Sequence, residues 1–148
     1  MLSVLPRADE LTIGADGAEV RRASEWLVAA CRRREVPQAP VGRLELCLNE
    51  VLANIIAHGG RPARAAPIRL RFESGAGQDC SEASVTVSDA GKAFNPLSVP
   101  AQASPASLAE AAPGGLGLRV IRRCSDWLRY SHEEGRNHLT FGVRWDRP

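Results

Sequence analysis

The chain reads as one α+β domain, a two-layer sandwich with helices packed on one face of a mixed, mostly antiparallel sheet. Three observations predict it. The 148 residues are 44% hydrophobic and 24% charged, enough apolar mass for a soluble domain with a proper core. Apolar residues recur at helical spacing in three segments and alternate strictly in others. The order runs strand, two helices, two strands, helix, two strands, with neither an internal repeat nor a linker, so residues 1–148 form one unit.

Leu11-Thr12-Ile13 is a short first strand. Asp16 opens the first helix, with Glu19 three residues on in the capping-box position. Val20, Ala23, Leu27, Ala30 and Cys31 form a core-facing stripe as far as about residue 34. Pro37 and Pro40 punctuate the connection. The second helix is expected from about 41 to 58, where Gly59-Gly60 ends it. Residues 68–72 and 83–88 alternate cleanly and should pair as a hairpin across a polar, Gly-rich turn at 74–82. The Ala-, Ser- and Pro-rich stretch at 96–113 is long for a connection, which marks it as functional or disordered. A third helix follows from Gly117, carrying Leu118, Ile121, Cys124 and Ser125, and residues 127–130 and 139–145 close the domain as a hairpin around 134–137.

Composition excludes several chemistries. Lys92 is the only lysine, beside 18 arginines. A Walker-type phosphate loop needs Gly-Lys-Ser/Thr, and Lys92 is followed by Ala93. A Schiff-base lysine would also have to be Lys92, in a Gly-Lys-Ala-Phe stretch without apolar surroundings. The net charge of +2 with 17 acidic residues is too even to indicate nucleic-acid binding, and Arg32-Arg33-Arg34 sits where cations complement a helix end. No apolar run approaches the ~20 residues of a membrane span. The first six residues lack the basic head and apolar core of a signal peptide. Cys31, Cys47, Cys80 and Cys124 show no Cys-x-x-Cys spacing, and His58, His132 and His138 do not complete a metal set. The thiols are therefore expected to be reduced groups of a cytoplasmic protein.

Three segments could carry chemistry. The helix at 44–58 is apolar over most of its circumference, yet Glu50, Asn54 and His58 follow at i, i+4 and i+8 on one stripe. Such a stripe either faces a cleft or is satisfied by internal hydrogen bonds. In a cleft, a carboxylate four residues before a carboxamide places a general base beside a neutral metal ligand. Asp89-Ala90-Gly91 directly follows a strand, a pattern also common in ordinary turns. Pro113-Gly114-Gly115-Leu116-Gly117-Leu118 opens into a helix. It is either a loop hinge or a set of amides that binds phosphate without a lysine. No strand leads into it, so it is not a dinucleotide fingerprint.

In this order and spacing, the three segments resemble the Bergerat-type ATP-binding fold of the gyrase, Hsp90, histidine kinase and MutL superfamily, over about residues 11–145. The particular likeness is to the anti-sigma-factor serine/threonine kinases, the switch-protein kinases of partner-switching systems. The resemblance implies ATP and Mg²⁺ as cofactors and assigns roles. Glu50 would accept the proton of an attacking hydroxyl, and Asn54 would hold Mg²⁺. Asp89 would accept from the adenine amino group, with Gly91 and Phe94 completing the loop beside the base. Gly114, Gly115 and Gly117 would hinge an ATP lid at about 96–116, with Leu118 and Arg119 following at the helix start. Thr140 matches a hydroxyl near adenine, and His58 matches a frequent histidine at this helix end. Lys92 and Ala93 depart from the small residues or proline usual there. No basic residue stands between Ala93 and Leu118, leaving Arg119 as the nearest cation for a γ-phosphate.

The resemblance further implies an anti-sigma-factor antagonist protein as phosphorylated substrate and a sigma factor or other regulator as sequestered partner. No nucleic acid or membrane partner is expected, and relatives of this kind are commonly homodimers. The main rival is a non-catalytic binding module gated by nucleotide. A detached histidine kinase catalytic domain is disfavoured, because no helical segment with a phosphoacceptor histidine is present. A purely structural α+β domain is the remaining alternative.

Overall fold

The computed structural model describes residues 7–93, 95 and 115–146. Strand β1 (Arg7–Ile13) leads to helix α1 (Gly17–Arg33), whose first turn is held by its own sequence. Asp16 Oδ1 accepts from Glu19 N at 3.1 Å, as the capping position predicts. The Glu19 carboxylate reaches back past Asp16 to accept from Gly14 N at 3.1 Å, tying the strand exit to the helix entrance. Ala23, Leu27, Ala30 and Cys31 are fully buried, as their spacing requires.

Helix α2 (Gln38–His58) begins three residues earlier than the prolines suggested. Pro37 stands at the N-cap and Pro40 in the first turn, where a helix leaves its N–H groups unpaired anyway, so proline loses nothing there. The Gly-Gly pair ends α2 only to admit a further short helix, α3 (Gly60–Ala65), which the sequence did not announce. Gly60 turns the chain at φ +72°, the left-handed region in which glycine meets no Cβ penalty.

Strands β2 (Ile68–Ala76) and β3 (Cys80–Asp89) are longer than their apolar alternation, and the turn shrinks to residues 77–79. Backbone pairing continues through Ser74, Gly75 and Ala76 where no side chain needs burial. Helix α4 (Gly115–Cys124) starts two residues before the expected point, and β4 (Trp127–Glu133) and β5 (Arg136–Asp146) close a tight hairpin. The five-stranded sheet has the order β1-β2-β3-β5-β4. The sheet was expected to be mixed, but all four ladders are antiparallel.

The register sorts side chains onto two faces. Ile13, Ile68, Leu70, Phe72, Ala83, Val85, Val87, Phe141 and Val143 join Leu27, Leu44, Leu48 and Leu52 of the helices in one core. The opposite face is polar: Thr86 and Thr140 stand directly opposite each other there, with their hydroxyl oxygens 2.8 Å apart. Among the described residues, no helix is long and apolar enough to cross a membrane.

Asp126 fastens α4 to this frame. Its Oδ1 pairs with the Arg43 guanidinium at 3.0 Å, and its Oδ2 accepts from Arg144 N at 2.6 Å. Burial works to raise the Asp126 pKa, but the Arg144 N–H and Arg43 outweigh it and hold the carboxyl below its usual range. A depressed carboxyl lends stability that is full above its unfolded pKa and is lost as pH falls through the folded one. Asp126→Asn is therefore expected to lower stability at neutral pH and to flatten the acid limb below the ordinary carboxylate pKa. Urea midpoints measured from neutral pH downwards check this.

Candidate functional site

The flank of α2 that meets α4 carries the first half of the site. Cys47, Glu50 and Asn54 follow at i, i+3 and i+7, so they share that flank. Cys47 Sγ lies 3.7 Å from Ile121 O, and Arg43 Nε donates to Cys124 O at 2.9 Å. These two contacts run antiparallel. The same register directs the N-terminal turn of α4, with Gly115 and Gly117, towards the Glu50–Asn54 level of α2. Unpaired backbone N–H groups at such a helix start attract anionic oxygens.

Glu50 and Asn54 are both half-buried, and neither side chain has a hydrogen bond or ion pair among the described residues. A carboxylate and a carboxamide left without partners on an apolar helix favour the cleft reading of the stripe. Burial, then the neighbouring Cys124, push the Cys47 thiol up to about 12, so it stays protonated at neutral pH. His58 is exposed in the last turn of α2.

No group of three or more His, Cys, Asp or Glu side chains among the described residues could by itself hold a metal. Mg²⁺ does not require one, since it is commonly bound by one or two protein oxygens with phosphates and waters. The Asn54 amide oxygen, without a partner among the described residues, fits that mode.

Asp89 forms the second half, at the end of β3 and only 7% exposed. Its Oδ1 accepts from Gly91 N at 2.8 Å and from Asn137 Nδ2 at 3.3 Å. Oδ2 takes no hydrogen bond from any described residue. Gly91 lies against the end of α2 so closely that a Cβ there would come within 2.8 Å of Asp89 Oδ1 and 3.0 Å of Gly59 Cα. The Gly59–Gly91 contact brings Asp89 to the end of the helix that carries Asn54.

The structure does not bring Thr140 to this place. It faces the polar side of the sheet with Thr86, while Asp89 faces the helices. The residue directly opposite Asp89 on β5 is Asn137, which the sequence reading missed. Asn137 is 6% exposed and also donates to Gly91 O at 3.2 Å and Lys92 O at 2.9 Å. Arg119 lies half-buried on α4. Phe94, Gly114, the lid over 96–114 and the side chain of Leu118 fall outside the described residues. Gly115 and Leu116, assigned to the lid, are the first residues of α4.

A family profile described as "Histidine kinase-like ATPase domain" matches residues 13–143. The chain belongs to this family. This ATPase-domain chain is 31% identical over 134 residues to the serine/threonine-protein kinase BtrW of Bordetella bronchiseptica, covering 90% of this chain and 92% of that protein. Two solved structures share its fold. The RsbU and RsbW domains of Rv1364c from Mycobacterium tuberculosis match with TM-score 0.63 and 14% identity, over 96% of this chain and 33% of that one. A chain of the SiaB–SiaC complex from Pseudomonas aeruginosa matches with TM-score 0.56 and 14% identity, over 93% of this chain and 89% of that one.

Proposed function

We propose that this histidine kinase-like ATPase domain is an ATP- and Mg²⁺-dependent serine/threonine protein kinase of a partner-switching system. The observation that carries the reading is the pair Glu50 and Asn54, whose side chains have no partner among the described residues, on the helix whose end receives the Asp89 loop. The 31% identity to a serine/threonine-protein kinase along nearly its whole length supports the same activity.

The roles follow from the donors and acceptors present. Asp89 Oδ2 accepts from the amino group of adenine. Asn54 would hold Mg²⁺ through its amide oxygen, and the amides at the start of α4 would supply donors for the phosphates. Magnesium, when bound with the nucleotide, neutralises charge on the phosphate oxygens. Glu50 accepts the proton of the substrate hydroxyl as its oxygen bonds to the γ-phosphorus and the bond to ADP breaks. Gly91 serves the loop after β3 and Gly115 and Gly117 the first turn of α4, with Phe94, Gly114 and Leu118 as further binding residues and Arg119 as the nearest cation in the sequence.

The substrate in this reading is a serine on a small antagonist protein. A phosphate adds about two negative charges to a docked surface not built for them. The kinase is thereby freed to sequester a sigma factor or another regulator in the cytoplasm. That a fold neighbour is a complex of SiaB with SiaC supports a protein as the partner.

A nucleotide-gated binding module is the second reading, favoured by the absence of any basic residue from Ala93 to Leu118. Charge stabilisation carries most of phosphoryl transfer, so this gap bears on turnover more than on binding. Incubation with Mg-ATP and an antagonist protein encoded beside the gene separates the two. Intact mass should show phosphoserine on the antagonist. ATP binding without transfer to the genuine partner makes the chain a binding module.

A further inference from the structure

Asn137 stands on β5 opposite Asp89 and is only 6% exposed. Its Nδ2 faces the carbonyl oxygens of Gly91 at 3.2 Å and Lys92 at 2.9 Å, as well as Asp89 Oδ1 at 3.3 Å. Carbonyl oxygens only accept, so the nitrogen of the amide must point to them. The oxygen then points the other way and accepts from the Tyr130 hydroxyl on β4. The amide orientation is thus fixed by chemistry at both ends. A chain of donors runs from Tyr130 through Asn137 to the loop that follows Asp89.

We infer that Asn137, oriented by Tyr130, is the positioning residue that fixes the Asp89 carboxylate and the Gly91–Lys92 turn for the amino group of the base. The inference rests on the adenine-nucleotide reading above. Asp89 Oδ1 is anchored by two donors, Gly91 N and Asn137 Nδ2, which sets the rotation of the carboxylate and leaves Oδ2 as the acceptor for a ligand. Without Asn137, one donor to Oδ1 and the clamp on two loop carbonyls vanish together. The carboxylate is then held by Gly91 N alone, its rotation loosens, and its penalty against a base lacking an amino group shrinks. Asn137 is buried beneath the loop, so it acts through Asp89 rather than on the nucleotide's reacting atoms.

The selectivity between ATP and purine riboside triphosphate, which lacks only the amino group, reads this directly. Calorimetric titration of the whole chain with both nucleotides is the experiment. The wild type should prefer ATP by about tenfold or more, the worth of a hydrogen bond to a charged group. Asn137→Ala should weaken ATP binding about tenfold and narrow the ratio towards one, because the analogue loses less. Tyr130→Phe removes one oxygen atom and should shift the ratio in the same direction by a smaller factor. It keeps the test informative should Asn137→Ala fail to fold.

Equal weakening of both nucleotides in the two variants, with the ratio preserved, marks Asn137 as merely structural and overturns the inference. Unchanged affinities overturn it as well. A wild type that binds neither nucleotide overturns the adenine-nucleotide reading itself, and the inference with it. A wild type that prefers ATP, together with variants that keep its ratio, rejects the inference alone.

Discussion

Glu50→Gln should abolish phosphate transfer to the antagonist while leaving nucleotide affinity in place. The expected fall in transfer rate is about 10²–10⁴-fold, the usual contribution of a positioned general base. Glutamine keeps the shape and half-buried position of the glutamate and removes only its capacity to take a proton. The nearby groups among the described residues do not replace it. Burial keeps the Cys47 thiol protonated at neutral pH, with a pKa of about 12. The Glu45 carboxylate is engaged by Ser24 Oγ at 2.5 Å across the α1–α2 junction. Asp89 sits at the far end of α2, with one oxygen already committed to Gly91 N and Asn137. Phosphoserine formation followed by intact mass, beside calorimetric titration with ATP, measures both quantities on one preparation. Transfer at the wild-type rate would remove Glu50 from the role of base and leave the nucleotide site untouched.

The elements were legible wherever a buried face imposed a period. Ala23, Leu27, Ala30 and Cys31 are buried in α1 because their spacing fits a single face, while α2, apolar over most of its circumference, buries Leu44, Cys47, Leu48, Val51 and Leu52. Boundaries were less legible, because proline was read as a break at Pro37 and Pro40 although the first helical turn tolerates it. The strand extensions at 73–76 and 80–82 were hidden for a different reason. Backbone pairing alone sustains them, and hydropathy has nothing to report there.

Thr140 shows the limit more sharply. Its hydroxyl chemistry suited an adenine pocket, but which face a strand residue occupies depends on register with its neighbour, and a one-residue shift reverses it. The pairing Asp89↔Asn137 puts residues 137, 139 and 141 on the helix side and Thr140 on the other. No local feature of Arg136-Asn137-His138 announces that role. Glu50 and Asn54, by contrast, stand out in the sequence, because polar residues on an apolar helix are costly unless a cleft or an internal hydrogen bond meets them.

Gly91→Ala should lose nucleotide affinity about tenfold to a hundredfold, the range expected when a hydrogen bond to a charged group is lost together with its geometry. The added Cβ would stand 2.8 Å from Asp89 Oδ1 and 3.0 Å from Gly59 Cα. Gly59 cannot give way, since its own backbone is hemmed in: a Cβ there would fall 2.4 Å from Ala63 Cβ and 2.6 Å from Ile55 O. The strain therefore moves the Asp89 loop, turning the carboxylate away from Gly91 N and opening the contact with the end of α2. Gly42→Ala is the matching control. Gly42 is exposed inside α2, and a Cβ there meets nothing within 4 Å. That change should raise stability by up to about 1 kcal/mol through helix propensity and leave ATP affinity as it was. Urea unfolding and calorimetric titration on both variants separate the two effects. Equal ATP affinity in Gly91→Ala and the wild type would show that the close approach of this loop to α2 does not shape the nucleotide site.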